Sequence, residues 1–370
     1  MKRYVVVFSG FNIRAVIAFI RTLEDNSVSY GVIAKSNDDD IFKTKYKSKV
    51  VYIRKQIALN LSDLLYSIKL IKEAIDYDKC MIAPSTEALN RFILNNERHF
   101  EALDCIFPVV NKDLYKLVSD KYSFGSLCKN HNIKVPGEFE TIESATFPFV
   151  AKPKKYFSSS KKALKPLIIT SIDELNNFEL KYNKDDFFFQ AYIEGRCIYL
   201  LYYFGKGNKV DKLSQENFIQ QENGGSMIYA KLSYFHNEDI SKAYEKLFFN
   251  IGFRGLVMIE LKIENNECIM IEANPRFWGP SQLFVDANYN FFEFMLMDYD
   301  FIELDAVKNT PLPDATYFWN DGIVGNIDAR NDVFFYNYSR FVFHKEMGRL
   351  IDNEIFNRKD TKILYKECAK

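Results

Sequence analysis

The sequence predicts an α/β protein whose first part is a parallel sheet and whose later part is α+β, built of antiparallel sheets. Two observations carry this prediction. Short apolar runs alternate with helical stretches through the N-terminal third, and further on GLVMIELKIENNECIMIEANPR reads as two apolar strands joined by a polar turn. Strands separated by helices pair in parallel, whereas strands joined by a few turn residues pair antiparallel.

Taken in order, Tyr4 to Phe8 is a short buried-type strand, and Ser9-Gly10 turns into a helix from about Asn12 to Glu24. VSYGVIAKS, VVYI and CMIAPS follow as strands, with the helix LSDLLYSIKLIKEAI between the last two. Ser9, Gly10, Ser85, Thr86 and Glu87 fall at strand ends. A dinucleotide-binding start would need G-x-G-x-x-G, and only Gly10 is present. FPFVAKP is a later strand that closes on Lys152, and a lysine ending a buried strand is costly unless an anion meets it. After Gly279, PSQLFVDANYNFFEFML reads as one apolar helix, with Trp278 as packing.

The hairpin is the chemically loaded stretch. Glu272, Asn274 and Arg276 alternate along a strand, so they share a face. Pro275 cannot donate to a ladder, so the strand ends there. A three-residue loop, Asn265-Asn266-Glu267, sets Glu260 opposite Glu272, whereas a two-residue loop would put them on opposite faces. Two carboxylates and an amide on one face call for a cation. Oxygen ligands of this kind suit Mg²⁺, and the neighbouring guanidinium suits phosphate oxygens.

Composition narrows the class. The 370 residues suggest two or three domains with a large core. Lys plus Arg equals Asp plus Glu at 49 each, which gives no electrostatic reason to expect nucleic acid or a membrane surface as partner. The six cysteines form no C-x-x-C pair, which argues against zinc and a disulfide scaffold and for a reducing, cytoplasmic compartment. The apolar run after Met1-Lys2-Arg3 is interrupted by Asn12, Arg14 and Arg21, so neither a signal peptide nor a bilayer span is expected.

E-x-N-P-R with an acidic residue twelve positions upstream resembles the ATP-grasp superfamily. That group includes biotin carboxylase, carbamoyl-phosphate synthetase, D-alanine–D-alanine ligase and many carboxylate–amine ligases. The resemblance runs from about Asp120 to Gly279. It implies a pre-ATP-grasp α/β domain (1–114), a small lobe (115–195), a large lobe (196–300) and a C-terminal extension on the large lobe (301–370). It also implies that Lys121 of VSDKYSF and Lys152 hold nucleotide phosphates. In QAYIEG, Gln190 stands where the family often has an acid reading the adenine amino group, and backbone near Tyr192 and Ile193 meets the base.

The chain departs from the pattern twice. The flexible glycine-rich loop is replaced by KKYFSSSKKALKP, where Ser159 and its neighbours offer N–H and hydroxyl donors and Lys161 and Lys162 add charge. Several members place a ribose-binding glutamate where this chain has Cys197, which leaves Glu194 as a candidate for that contact.

What the resemblance implies chemically is an ADP-forming carboxylate–amine ligase. Glu260, Glu272 and Asn274 would hold two Mg²⁺, with Mn²⁺ able to substitute, and Arg276 and Arg254 would steady the transferred phosphoryl or acyl phosphate. Lys231 is an alternative to Arg254, and Gly224-Gly225-Ser226 resembles a close-approach turn near the reacting groups. The partners are a small carboxylate and an amine, with a homodimer left open. The alternatives are a bicarbonate-phosphorylating, carbamoyl-phosphate-type enzyme and a nucleotide-binding protein without catalysis. A single grasp unit and the lack of a biotin-carrier A-M-K-M disfavour the former.

Overall fold

Three sheets organise the computed structural model, which describes residues 1–158, 163–222, 224–303, 310–323 and 333–365. The first is a five-stranded parallel sheet of order β3-β2-β1-β4-β5, made from β1 Arg3–Phe8, β2 Tyr30–Ala34, β3 Val50–Ile53, β4 Lys79–Ile82 and β5 Cys105–Ile106. Helices α1 Ile13–Asp25, α2 Leu61–Ile75 and α3 Glu87–Asn95 connect its strands. Val5, Val6 and Val7 are wholly buried, as strands covered on both faces must be.

The second sheet is antiparallel, of order β6-β9-β7-β8, from β6 Glu138–Phe139, β7 Phe149–Pro153, β8 Leu167–Ile169 and β9 Phe187–Ala191. The third holds seven strands. Along it run β14 Glu267–Asn274, β13 Gly255–Glu264, β10 Arg196–Phe204, β11 Val210–Gln221, β12 Met227–Ser233 and β15 Thr316–Phe318, with β16 Val333–Phe335 pairing β11. The C-terminal stretch thus adds two strands to the large sheet, and helix Arg340–Asp352 buries Phe343 and Leu350 against it. No helix among the described residues is long and apolar enough to cross a membrane.

The single helix expected after Gly279 is instead two, Gln282–Asp286 and Phe291–Asp298. Asn288 between them is left-handed (φ 52°), and the Tyr289 N–H bonds back to the Phe284 carbonyl. Asn tolerates that conformation and ends helices.

The β13–β14 hairpin corrects the expected loop. Its turn has two residues, Asn265 and Asn266, both left-handed (φ 51° and 63°), and Glu264 pairs with Glu267. This is the primed geometry that matches strand twist. Such a loop alone would put Glu260 opposite Ile271. A β-bulge intervenes: Leu261 pairs with Met270 and Glu260 with Glu272, leaving Ile271 as the extra residue. The two carboxylates therefore do face each other, for a different reason from the one the sequence suggested.

The turn makes a stability prediction. Asn266→Gly should be neutral or slightly stabilising, whereas Asn266→Val should cost about 1–2 kcal/mol because a β-branched side chain resists the left-handed region. Thermal unfolding of the two variants measures the difference.

Candidate active site

The polar face of the large sheet is the site. On β13, Met258, Glu260 and Lys262 alternate onto one face, which continues onto Cys197 and Tyr199 of β10 and Gln215 and Asn217 of β11. Beyond the bulge, Glu272 and Asn274 join it. From the second sheet comes Lys152 on β7, and from the start of helix α6 (Lys121–Asn130) comes Lys121.

A chain of contacts links the expected residues. The Lys121 ammonium lies 2.5 Å from Glu272 Oε2, Asn274 Nδ2 donates to Glu272 Oε1 at 2.7 Å, and Arg276 donates to Asn274 Oδ1 at 2.8 Å. Lys152, 6% exposed, donates to the Ile271 carbonyl at 2.9 Å. Ile271 is the extra residue of the bulge, so one irregularity both aligns the carboxylates and presents the carbonyl that docks a lysine. Asp120 does not cap α6; it accepts from Arg91 at 2.5 Å, and Arg91 also meets Glu87 and Ser119.

The charges are unequal. Burial and the facing Glu272 push the Glu260 carboxyl up to about 7. Burial acts on Glu272 too, but Lys121 at contact distance, with help from Asn274 and Arg276, holds it down at about 2. Burial opposes charge on Lys121, yet Glu272 and Glu87 raise its pKa overall. Lys152 lacks a carboxylate at contact distance, so burial and the neighbouring Lys121 lower it to about 8. A cluster of carboxylates and lysines perturbed in this way is a candidate functional site.

The donor set fits Mg²⁺ with a nucleotide. Two carboxylates and an amide oxygen are too few for a closed protein cage, and among the described residues no group of three His, Cys, Asp or Glu is placed to hold a metal ion. Mg²⁺ characteristically binds through one or two carboxylates and takes further oxygens from phosphates and water. Gln190 supplies a second indication. It is 3% exposed, its Nε2 reaches Glu138 at 3.5 Å, and its Oε1 is buried without a partner. An orphaned buried acceptor is expensive unless a ligand donor meets it.

Other expected residues have partners outside this chain of contacts, although Arg254 lines a pocket with Pro275 and Arg276. Arg254 donates to the Gly205 carbonyl at 2.6 Å and Asn208 Oδ1 at 2.9 Å, so its guanidinium ties down the β10–β11 turn. Lys231 faces the C-terminal segment, 3.7 Å from Glu346 and over the rings of Phe218 and Tyr229. Glu194 is exposed and its backbone N–H bonds Glu264. Tyr192 and the buried Ile193 lie just after β9. Ser159, Lys161 and Lys162 lie outside the described residues. Gly224 and Gly225 form the β11–β12 turn, where Ser226 accepts from Arg14 at 2.8 Å.

Cys197 is fully buried, with its sulfur 3.2 Å from Asn217 Nδ2 and 3.7 Å from Glu260 Oε1. A glutamate there would crowd a third carboxylate against Glu260. Sequence reasoning missed Lys262 and Arg91. The alternation from Glu260 to Lys262 and the i,i+4 spacing of Glu87 and Arg91 were the available signals.

An ATP-grasp domain model matches residues 118–280, close to the span marked by the motifs. Residues 118–280 are thus similar to an ATP-grasp domain. Among solved structures it is similar to the biotin carboxylase domain of Hydrogenobacter thermophilus 2-oxoglutarate carboxylase in complex with MgADP, ADP and bicarbonate. The identity is 15% and the TM-score 0.59, over 86% of this chain and 73% of that one. An ADP complex of N5-carboxyaminoimidazole ribonucleotide synthetase gives 11% and 0.59, over 89% and 85%. Biotin carboxylase from Campylobacter jejuni gives 12% and 0.59, over 85% and 73%. At these identities the likeness is one of fold. No curated protein matches the sequence.

Glu260 yields a stability prediction. Its carboxyl is harder to ionise in the fold than in the unfolded chain, so its contribution is fully present below its ordinary value near 4.5 and is lost as pH rises to about 7. Glu260→Gln should therefore stabilise the ligand-free protein above pH 7 by on the order of 2 kcal/mol, with little gain at pH 4.5. Denaturant titrations at the two pH values test this.

Proposed function

We propose that the protein is an ATP-dependent ligase that activates a carboxylate as an acyl phosphate and joins it to an amine. The observation that carries this reading is the facing pair Glu260 and Glu272, with Asn274 beside them and Lys121 and Lys152 against them. In this reading a carboxylate oxygen of the substrate attacks the γ-phosphorus of ATP and ADP leaves. The amine nitrogen then attacks the acyl carbon, the C–O bond to phosphate breaks, and amide, phosphate and a proton result.

Glu260, Glu272 and Asn274 would hold Mg²⁺, two ions in the fullest form with Mn²⁺ as a substitute, and the metal would supply neutralisation of phosphoryl charge. Asn274 Oδ1 accepts from Arg276 and keeps a second lone pair for a metal, so Arg276 would orient this ligand. The remaining donors of its guanidinium would meet the transferred phosphoryl group. Lys121 and Lys152 hold phosphates, Gln190 Oε1 accepts from the base amino group, and backbone at Tyr192 and Ile193 lines the base. The small-molecule carboxylate and amine would enter beside Arg276, at the carboxyl end of β14.

The test is ADP release with MgATP and pooled carboxylates and amines. Turnover that needs both an acid and an amine is the expected result. Turnover on bicarbonate alone would establish the carboxylase-type alternative, and MgATP binding without turnover would leave a nucleotide-holding protein. With a substrate pair in hand, Glu272→Gln should lose about 10²–10³ in kcat, while Lys152→Ala should chiefly raise KM for ATP.

The pH profile follows from the same charges. kcat/KM for ATP should fall below about pH 7 as Glu260 gains a proton, and fall above about pH 8 as Lys152 loses one. Lys152→Arg should remove the alkaline limb and leave the acidic one. An alkaline limb that persists in the folded arginine variant would remove Lys152 from the phosphates.

A further inference from the structure

Lys262 packs against a C-terminal segment that lies beyond the ATP-grasp match. Lys262 is 7% exposed and, among the described residues, has no ion pair. Its ammonium lies 3.7 Å from the centroid of the Tyr336 ring, and Phe334 flanks it at 5.9 Å. Tyr336 is held in place from β11, where its N–H donates to the Phe218 carbonyl at 2.9 Å and its hydroxyl bonds Gln220 Oε1. A ring face meets an ammonium from one side only. Among the described residues no acceptor meets its remaining donors, which are therefore open to water or to a ligand.

Register says which end of the polar face this is. Along β13, Met258 stands opposite Asn274 and Glu260 opposite Glu272, and Lys262 lies one step further, away from Arg276. Lys121 and Lys152 are engaged on the Glu272 side. The Tyr336 phenol is instead within electrostatic reach of Cys197, Glu260 and Tyr192. Tyr192 lies two residues from Gln190, whose orphaned oxygen calls for an amino donor.

We propose that Lys262 and Tyr336 wall the base-and-ribose end of the nucleotide pocket, with Lys262 donating to the nucleoside and Tyr336 positioning it. This rests on the nucleotide-binding reading above. It makes the C-terminal segment part of the binding site, and it places a donor beside the buried Cys197, where no carboxylate accepts from the ribose.

Calorimetric titration of MgATP, with Mg-tripolyphosphate as a phosphate-only competitor, tests the proposal on the full chain. Lys262→Met and Tyr336→Leu should each weaken MgATP by about tenfold and leave tripolyphosphate competition unchanged, while Tyr336→Phe, which keeps the ring over the ammonium, should stay within about threefold. Thermal unfolding confirms that the variants fold, and the phenylalanine variant separates ring support from general disruption. Wild-type MgATP affinity in folded Lys262→Met would overturn the proposal. So would a parallel loss of tripolyphosphate binding, which would put Lys262 at the phosphates, or tighter MgATP binding in Tyr336→Leu, which would make the ring a plug. Wild-type protein that fails to bind MgATP would sink the nucleotide reading itself, a result distinct from any of these.

Discussion

The rest of the site depends on two buried carboxylates facing each other across a hairpin. Glu260 and Glu272 are directly opposite on one face of the sheet. Like charges so placed cannot both ionise cheaply in a low-dielectric setting. The fold resolves the conflict asymmetrically. Lys121 sits against Glu272 and fixes it as the anion, so Glu260 takes the cost and holds its proton toward neutral pH. A divalent cation would remove that asymmetry, since both oxygens could then ionise against it. The strain of the ligand-free arrangement is thus what makes it receptive.

The hairpin also shows how far the sequence could be read. Alternation correctly grouped Glu272, Asn274 and Arg276, and Pro275 correctly ended the strand, because both follow from local geometry. The facing of Glu260 and Glu272 was reached through the wrong loop count. The bulge at Ile271 is invisible in sequence because Ile269, Met270 and Ile271 are all apolar, so no hydrophobic pattern distinguishes a regular register from a shifted one. The partners of Arg254 and Lys231 were illegible for a related reason. Their charge was legible, but the acceptors that claim them, the Gly205 carbonyl and Glu346, come from segments remote in sequence. Lys262 and Tyr336 are the converse case. A pairing between distant strands brings them together, and no motif announces it.

Hydrogen bonds between segments tie the parallel sheet and its helices to the large sheet and to the start of α6. Asn12, left-handed at the turn into α1, donates to the carbonyls of Ser85 and Phe277, which joins the parallel sheet to the segment just after Arg276. Arg14 reaches the Met227 carbonyl, Ser226 and the Tyr317 hydroxyl, and its guanidinium stacks 3.9 Å over Trp319. Arg91 on α3 ties Asp120 at the start of α6, immediately before Lys121. Each is an arginine or asparagine serving several acceptors at once. That is the economical way to fix irregular backbone beside a site that needs precise geometry.

Lys121 and Lys152 illustrate why two cations of one type need not play one part. Lys121 has its carboxylate and is charged with or without ligand. Lys152 rests on a carbonyl, near a like charge and out of water, so its proton is held weakly. A carbonyl dipole satisfies one donor of an ammonium but does not neutralise it. An arriving phosphate would supply the missing anion and raise the lysine's proton affinity. Part of the binding energy would then go into recharging Lys152, while none is needed for Lys121. The bulge carbonyl keeps Lys152 in position while its charge is in question, so the same extra residue that aligns the carboxylates also sets how strongly this lysine responds to an anion.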